Sequence, residues 1–242
     1  MKEIFFKEVN AFLSSLIAYI VLSVFLIGVG LLVWVFPETS VLNYGYADLE
    51  TLFSFGPYVL LFLIPAITMR LFAEERKAGT MELLFTRPLT DWQIILGKYF
   101  SSLFLLLLAL LPTLLYYYSV YELGNPVGNI DTAGFAGSYL GLFLLGAVFA
   151  AIGVFASSLT ENQIVAFLVA LFLCFLLYTG FASLAAIDVW GTGAYIIQQL
   201  GIVYHYDALS RGLIDSRNLV YFLSVILLML SFTKLVLSSR KW

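Results

Sequence analysis

The chain has 242 residues and a formal net charge of −3, and 62% of its residues are hydrophobic while only 11% are charged. A soluble globular protein carries about 25% charged residues, and a disordered chain combines low hydrophobicity with high net charge, so both classes are excluded. A single cysteine, Cys174, and a single histidine, His205, leave no internal disulfide framework and no cluster for a zinc site.

What remains is an all-α polytopic membrane protein, because backbone groups in lipid must be paired within a helix or a closed barrel. A spanning helix needs about 20 predominantly apolar residues. Six intervals meet this requirement, at 11–36, 51–69, 99–121, 134–159, 164–187 and 219–237. Only the last of them contains a charge, Lys234, which is near enough to its end to reach the interface. Residues 1–242 are therefore predicted to form one transmembrane domain with six spans.

The residues before the first span predict a short helix lying in the membrane interface. Glu3 and Lys7 share one helical face, while Phe5, Val9 and Phe12 share another, which is the pattern of an amphipathic helix. The alternative is a frayed polar terminus, because short isolated helices are marginal in water.

The positions of the lysines and arginines predict the orientation of the spans. If the amino terminus is cytoplasmic, ten of the twelve basic residues fall on the cytoplasmic side, and the other side receives only Arg211 and Arg217. Because cytoplasmic loops are enriched in lysine and arginine, we expect both termini to lie in the cytoplasm.

Local signals predict where several helices start and bend. Residues 90–93 (Thr-Asp-Trp-Gln) form a capping box before the third span, and residues 160–163 (Thr-Glu-Asn-Gln) repeat the pattern before the fifth. Proline removes a backbone donor and should kink the helix around it. The prolines inside spans are Pro57, Pro65 and Pro112.

The fourth span carries a stripe of small residues, which allows another helix to approach closely. Two explanations remain open: packing inside this chain, or an interface with another subunit. The glycines of the stripe are Gly137, Gly141, Gly146 and Gly153, and Ala150 and Ser157 extend it.

The connection between the last two spans, 188–218, is moderately polar and is predicted to be partly helical. Its apolar positions suggest one short amphipathic helix. These positions are Tyr195, Ile196, Leu200 and Val203. His205 lies between two tyrosines and is expected to pack at the interface instead of acting as a catalyst.

Signatures of independent chemistry are missing from the sequence. The spans have no Asp, Glu, Arg or His near their centres, whereas carriers driven by ion gradients usually need such groups. Gly97-Lys98 lacks the glycine-rich run of a phosphate loop, and the sequence contains no HExxH motif. We therefore expect no catalytic residue, cofactor or metal in this chain.

The connection between the second and third spans is the most informative stretch. It covers residues 70–98 and holds nine charges. Residues 74–77 should extend the second helix beyond the membrane, Gly79 should break it, and Thr80 should cap a new short helix with Glu82 in its first turn. Met81, Leu84 and Phe85 would give this helix an apolar face. Physical reasoning leaves two alternatives open, a helix that docks on another protein and a solvated loop.

Five stretches resemble the permeases of ABC type-2 transporters, and within that family the gliding-motility-associated group. They are the run 75–84 followed by Pro88, together with 129–131, 158–166, 210–215 and 221–224. The resemblance covers the whole chain and includes the six-span layout with a short amino-terminal helix.

This resemblance implies a permease subunit of a bacterial inner-membrane transporter that transmits the work of a separate cytoplasmic ATP-binding subunit. Six spans are half of the usual twelve, so a second permease-like subunit or a homodimer is expected, with the lipid bilayer as surroundings and no nucleic acid. The alternative is a non-transporting membrane anchor that recruits an ATPase to a motility or cell-envelope machine. The residues expected to couple to the ATPase are Glu74, Glu75, Arg76, Lys77, Gly79, Thr80, Met81, Glu82 and Leu84.

Overall fold

The computed structural model describes residues 1–43, 45–86, 88–187, 193–212 and 215–239, and within these ranges all regular structure is helical. The α-helices are α1 (Lys2–Leu13), α2 (Leu16–Trp34), α3 (Glu50–Thr68), α4 (Arg70–Lys77), α5 (Met81–Phe85), α6 (Asp91–Leu110), α7 (Leu114–Leu123), α8 (Thr132–Leu159), α9 (Gln163–Phe175), α10 (Phe181–Ala185), α11 (Ala194–Gln199), α12 (Ile202–Ser210) and α13 (Ser216–Ser238).

The six predicted spans are confirmed as helices long and apolar enough to cross a membrane. Single helices supply three of them, α2, α8 and α13. The other three are composite: α3 continues into α4, α6 into α7 through a 3₁₀ turn at Leu111–Thr113, and α9 into α10 through a π-helical turn at Leu176–Gly180. The all-α polytopic fold class is therefore correct.

Helix α8 is the central element of the bundle. Most of its residues are buried, and it packs against α3, α6, α9, α12 and α13. The outer helix α2 exposes most of its side chains, as expected for a helix that faces lipid. The stripe of small residues on α8 thus lies where neighbouring helices pack most closely.

Of the two capping boxes predicted at helix starts, one is confirmed and one is wrong. Thr90 and Gln93 form the complete capping box at the start of α6. The capping box predicted at residues 160–163 is wrong. The side chain of Asn162 caps α9 by accepting a hydrogen bond from the Ile164 amide, and the Thr160 hydroxyl accepts only from the Asn162 amide. Asn162 lies closer to the first helical turn and so takes the role expected of Thr160.

The prolines act differently from one another. Pro57 and Pro65 lie within the continuous helix α3. Pro112 lies in the 3₁₀ turn that separates α6 from α7, so only this proline coincides with an interruption. A second break falls between α3 and α4 at Met69, where the sequence gives no proline or glycine.

The two ends of the bundle hold different elements. At one end, here the α1 end, lie α1, α4, α5, the start of α6 and the end of α13, where the Lys234 ammonium lies 5.3 Å from the Trp92 ring. At the other end lie α11 and α12. The single helix predicted there is instead two helices, because Gly201 adopts an extended conformation between them.

His205 joins the two short helices to α13. One ring nitrogen lies 2.8 Å from the Asn218 side chain, the other lies 2.9 Å from the Gln199 carbonyl oxygen, and the ring stacks on Tyr221 at 3.8 Å. Both nitrogens and one ring face are therefore engaged in structural contacts, in agreement with a packing role.

Candidate functional site

A cluster of four charged side chains lies at the α1 end, with three of them inside the protein and the fourth, Lys7, at its surface. Lys98 of α6 is fully buried, and its ammonium lies 2.6 Å from a carboxylate oxygen of Glu8 and 3.0 Å from one of Glu75. It also donates a hydrogen bond to the Leu71 carbonyl. The ammonium thus makes two hydrogen bonds, to Glu8 and to Leu71, and a further ion pair with Glu75, whose nearest oxygen accepts no hydrogen bond within the described residues. These contacts offset much of the large cost of burying a charge.

Lys7 completes this charge cluster, which we define as Lys7, Glu8, Glu75 and Lys98. Its ammonium donates to Glu75 and lies 3.6 Å from Glu8. Partial burial of Lys7 disfavours its charged form, but the hydrogen bond to Glu75 and the charges of both carboxylates outweigh this effect and raise the pKa of Lys7 above its ordinary value. Two ammonium groups and two carboxylates therefore form a neutral set.

The charge cluster joins three helices that are distant in the sequence. Lys7 and Glu8 belong to α1, Glu75 to α4 and Lys98 to α6. Lys98 also lies 5.0 Å above the Phe72 ring of α4, a cation–π contact. Because removing one member of a buried ion pair typically costs about 3–5 kcal/mol, the three helices are held strongly to one another at this point.

The same end of α4 is held by a serine of α8. Ser157 donates to the Met69 carbonyl, and its hydroxyl oxygen accepts from the amides of Phe72 and Ala73 at 3.0 and 3.1 Å. The first amides of a helix have no partner within it, and these two belong to the first turn of α4. Ser157 therefore pairs the backbone groups at the break between α3 and α4.

The short helix α5 follows a turn that the sequence predicts correctly. Helix α4 ends at Lys77, and Gly79 adopts a positive φ of 67°, a conformation that favours glycine. Thr80 precedes α5 as expected, but its hydroxyl donates to the Glu75 carbonyl and makes no cap contact. The expected capping role of Thr80 is therefore wrong, because its hydroxyl is used to close the turn behind it.

The predicted coupling residues divide into an exposed group and a buried group. The exposed residues are Glu74, Lys77, Gly79, Thr80 and Glu82, with Arg76 half-buried. Glu75 and Met81 are buried, and Leu84 packs against the core. Glu75, expected to be a charge partner for another protein, is thus paired inside the chain, and Met81 attaches α5 to its own bundle.

The four glycines of the α8 stripe all contact helices or turns of the same chain. An added Cβ at Gly146 would lie 2.6 Å from Leu106 of α6, and at Gly153 it would lie 2.0 Å from the Thr68 hydroxyl of α3. Gly137 faces Gly212, and Gly141 faces Leu209. These contacts favour the packing role inside the chain over a subunit interface.

Sequence reasoning missed the ion pairs of Glu8 and Lys98, and it identified Ser157 only as a small residue of the packing stripe. A weak signal exists for Glu8, which shares a helical face with Ile4 and Phe12 at a spacing of four residues and so interrupts the buried side of α1. The sequence places Lys98 only at the boundary of a span. Its burial depends on the positions of α1 and α4, which no local pattern contains.

The fold and the charge cluster define a polytopic membrane protein in which a helical extension between two spans is tied to the amino-terminal helix. A family model described as ABC-2 family transporter protein matches residues 42–239. The chain belongs to this family and is a transmembrane permease subunit of an ABC transporter, which works with an ATP-binding subunit. A search of curated proteins finds no match. The family match begins after α2, so Lys7 and Glu8 lie outside it.

Proposed function

We propose that the α1 end faces the cytoplasm and receives the motion of the ATP-binding subunit. We call residues 74–84 the coupling segment. Its exposed residues would contact the ATP-binding subunit, and they carry both signs of charge, through Glu74, Lys77 and Glu82. The concentration of basic residues at this end supports a cytoplasmic position.

The observation that carries the proposal is the charge cluster. A force applied to α5 and to the turn at Gly79 reaches α4, and the charge cluster connects α4 to α1 and α6. Spans two and three would then respond together with the amino-terminal helix. A packed connection held by ion pairs transmits displacement as a unit, whereas a solvated loop would absorb it.

The finer identity rests on the resemblance of the sequence. It supports a permease of the gliding-motility-associated type in a bacterial inner membrane. Six spans form half of a usual permease pair, so the proposal includes a second permease-like subunit or a second copy of this chain.

Replacing Glu82 with lysine is expected to abolish the stimulation of ATP hydrolysis by the permease, because the substitution reverses an exposed charge in the first turn of α5. Loss of one central contact commonly weakens an interface by about 2 kcal/mol or more, which is over tenfold in affinity. Replacing Gly79 with alanine should also reduce stimulation, since alanine strains the positive φ of the turn. The measurement is ATPase activity of the reconstituted complex.

The matched control is Glu161→Lys, which makes the same change in an exposed acid of the turn before α9, at the same end but away from α5. This variant should retain stimulation, and all variants should insert in the membrane equally. Full stimulation by both Glu82→Lys and Gly79→Ala would show that α5 is not the coupling contact. If the permease stimulates ATP hydrolysis but no ATP-dependent transport occurs, the result would favour the alternative of a non-transporting membrane anchor.

Labelling of introduced cysteines should locate the α1 end. Lys77→Cys, at the exposed end of α4, is expected to react with a membrane-impermeant maleimide only after the cytoplasmic side is opened, and Glu122→Cys of α7 should react in intact cells. The native Cys174 is fully buried and should contribute little background. Labelling of Lys77→Cys in intact cells would contradict the proposed orientation.

A further inference from the structure

A cavity of about 760 Å³ opens at the end opposite α1. It lies between the first turns of α3 and α8, the π-helical turn and α12. Its volume falls within the range of about 300–1,000 Å³ typical of small-molecule sites. The contacts of the coupling segment do not involve this cavity.

Tyrosine rings form one wall of the cavity. Tyr178 makes edge-to-face contacts with Tyr58 at 5.8 Å and with Tyr206 at 6.4 Å between ring centroids. The Tyr206 hydroxyl donates to the Phe53 carbonyl at 2.6 Å, which fixes its ring. The wall is therefore a set of mutually packed aromatic faces and edges in a defined arrangement.

The hydroxyl of Tyr178 is open to the cavity. Tyr178 is only 4% exposed and lines the cavity, yet within the described part of the chain its hydroxyl has no hydrogen-bond partner. Tyr178 also lies in the π-helical turn Leu176–Gly180, an irregularity that occurs frequently at functional sites. The Tyr178 hydroxyl is therefore available to a molecule bound in the cavity.

The rim of the cavity is strongly acidic. Four carboxylates and one guanidinium line it, those of Asp48, Glu50, Asp131, Asp207 and Arg211. Asp131 uses one oxygen to cap α8, whereas no described residue forms an ion pair with Glu50. Burial raises the pKa of Asp207, although the Arg211 charge opposes the shift. The rim therefore repels anions and favours a positive ligand.

We propose that this cavity binds an organic cation with an ammonium group and an apolar body. The ammonium would lie against the tyrosine faces and between the carboxylates, since cations are attracted to aromatic faces as well as to acids. A primary ammonium would in addition donate a hydrogen bond to the Tyr178 hydroxyl oxygen. The inference does not depend on the proposed coupling function, because the binding can be measured on this chain without an ATP-binding subunit.

Ligand binding to the purified full chain in nanodiscs, followed by saturation-transfer NMR, tests the proposal. Benzylammonium and benzyltrimethylammonium are expected to bind saturably, whereas benzenesulfonate, of similar size and opposite charge, should not bind. Tyr178→Ala and Asp207→Asn should each weaken the binding of both cations. For Tyr178→Ala, which removes the aromatic contact, the loss of affinity should be about tenfold. Tyr178→Phe should weaken the binding of benzylammonium alone. The quaternary group of benzyltrimethylammonium cannot donate a hydrogen bond and so does not depend on the hydroxyl.

Two conservative variants outside the cavity serve as controls. Tyr118→Phe removes a hydroxyl from an exposed tyrosine, and Glu122→Gln neutralises an exposed acid of the same helix, α7. Both should bind the two cations as the unaltered chain does. The proposal is overturned if neither cation binds, if benzenesulfonate binds equally well, or if Tyr178→Ala and Asp207→Asn leave the cation affinities unchanged.

Discussion

Replacing Lys98 with methionine is expected to lower the free energy of unfolding by about 3–5 kcal/mol, because the buried carboxylate of Glu8 would lose its hydrogen-bond partner and that of Glu75 would keep only Lys7. Lys98 has no exposed surface and contributes to two ion pairs. Methionine has a similar length and would fill the same space. The loss of charge, and not a cavity, would therefore cause the effect.

The measurement is the thermal unfolding midpoint of the detergent-solubilised chain. For a chain of this size, a change of 1 kcal/mol shifts the midpoint by about 2–4 °C, so a decrease of roughly 10 °C is expected. Lys77→Met, an exposed lysine at the end of α4, is the matched control and should leave the midpoint almost unchanged.

A triple variant separates charge pairing from packing. Combining Lys98→Met with Glu8→Gln and Glu75→Gln removes the three buried charges and leaves only that of Lys7, whose side chain is exposed. Uncharged groups of similar volume are often as stable as a buried ion pair. The triple variant should therefore recover much of the lost stability. A midpoint for Lys98→Met equal to that of Lys77→Met would show that the charge cluster does not stabilise the fold.

The six spans could be predicted from the sequence because the length of an apolar helix is a local property. The capping box at Thr90 and the break at Gly79 were equally local, since each depends on residues within one turn. The interruptions at Met69 and at the π-helical turn were not predicted. At Met69 the compensating group is Ser157, from 88 residues further along the chain, so no local pattern could indicate this break.

The candidate site was predicted only in part. The sequence identified the segment that contains α4 and α5, but it could not separate side chains that face outward from those that face the bundle. Glu74 and Glu75 are adjacent and chemically equivalent, yet one is exposed and the other is buried against Lys98. Their difference depends on where α1 and α6 pack, and this information is tertiary.

Two residues one turn apart on α8 determine where α4 begins. Gly153 allows Thr68, the last residue of α3, to approach α8 closely. Ser157 forms hydrogen bonds with the backbone groups of the residues just after Thr68. The charge cluster then holds the next turn of α4. Position and attachment of the coupling segment thus depend on a short stretch of the central helix, which connects the packing of the bundle with the proposed transmission of force.

Replacing Gly153 with alanine is therefore expected to disturb both stability and coupling. The added Cβ would lie 2.0 Å from the Thr68 hydroxyl and 2.8 Å from its Cβ, so α3 must move away from α8. Overpacking of this kind costs about 1–3 kcal/mol. The displacement should also lengthen the hydrogen bonds between Ser157 and the start of α4. Stimulation of ATP hydrolysis by the reconstituted permease should therefore fall together with the unfolding midpoint.

Gly28→Ala is the matched control, because an added Cβ in that part of α2 meets nothing within 4 Å. It should be neutral or stabilise the chain by up to about 1 kcal/mol through helix propensity. Adding Thr68→Ala to Gly153→Ala removes the hydroxyl and methyl that clash, and should restore part of both readouts. If Gly153→Ala behaves as Gly28→Ala does, the close approach of α3 to α8 does not position the coupling segment.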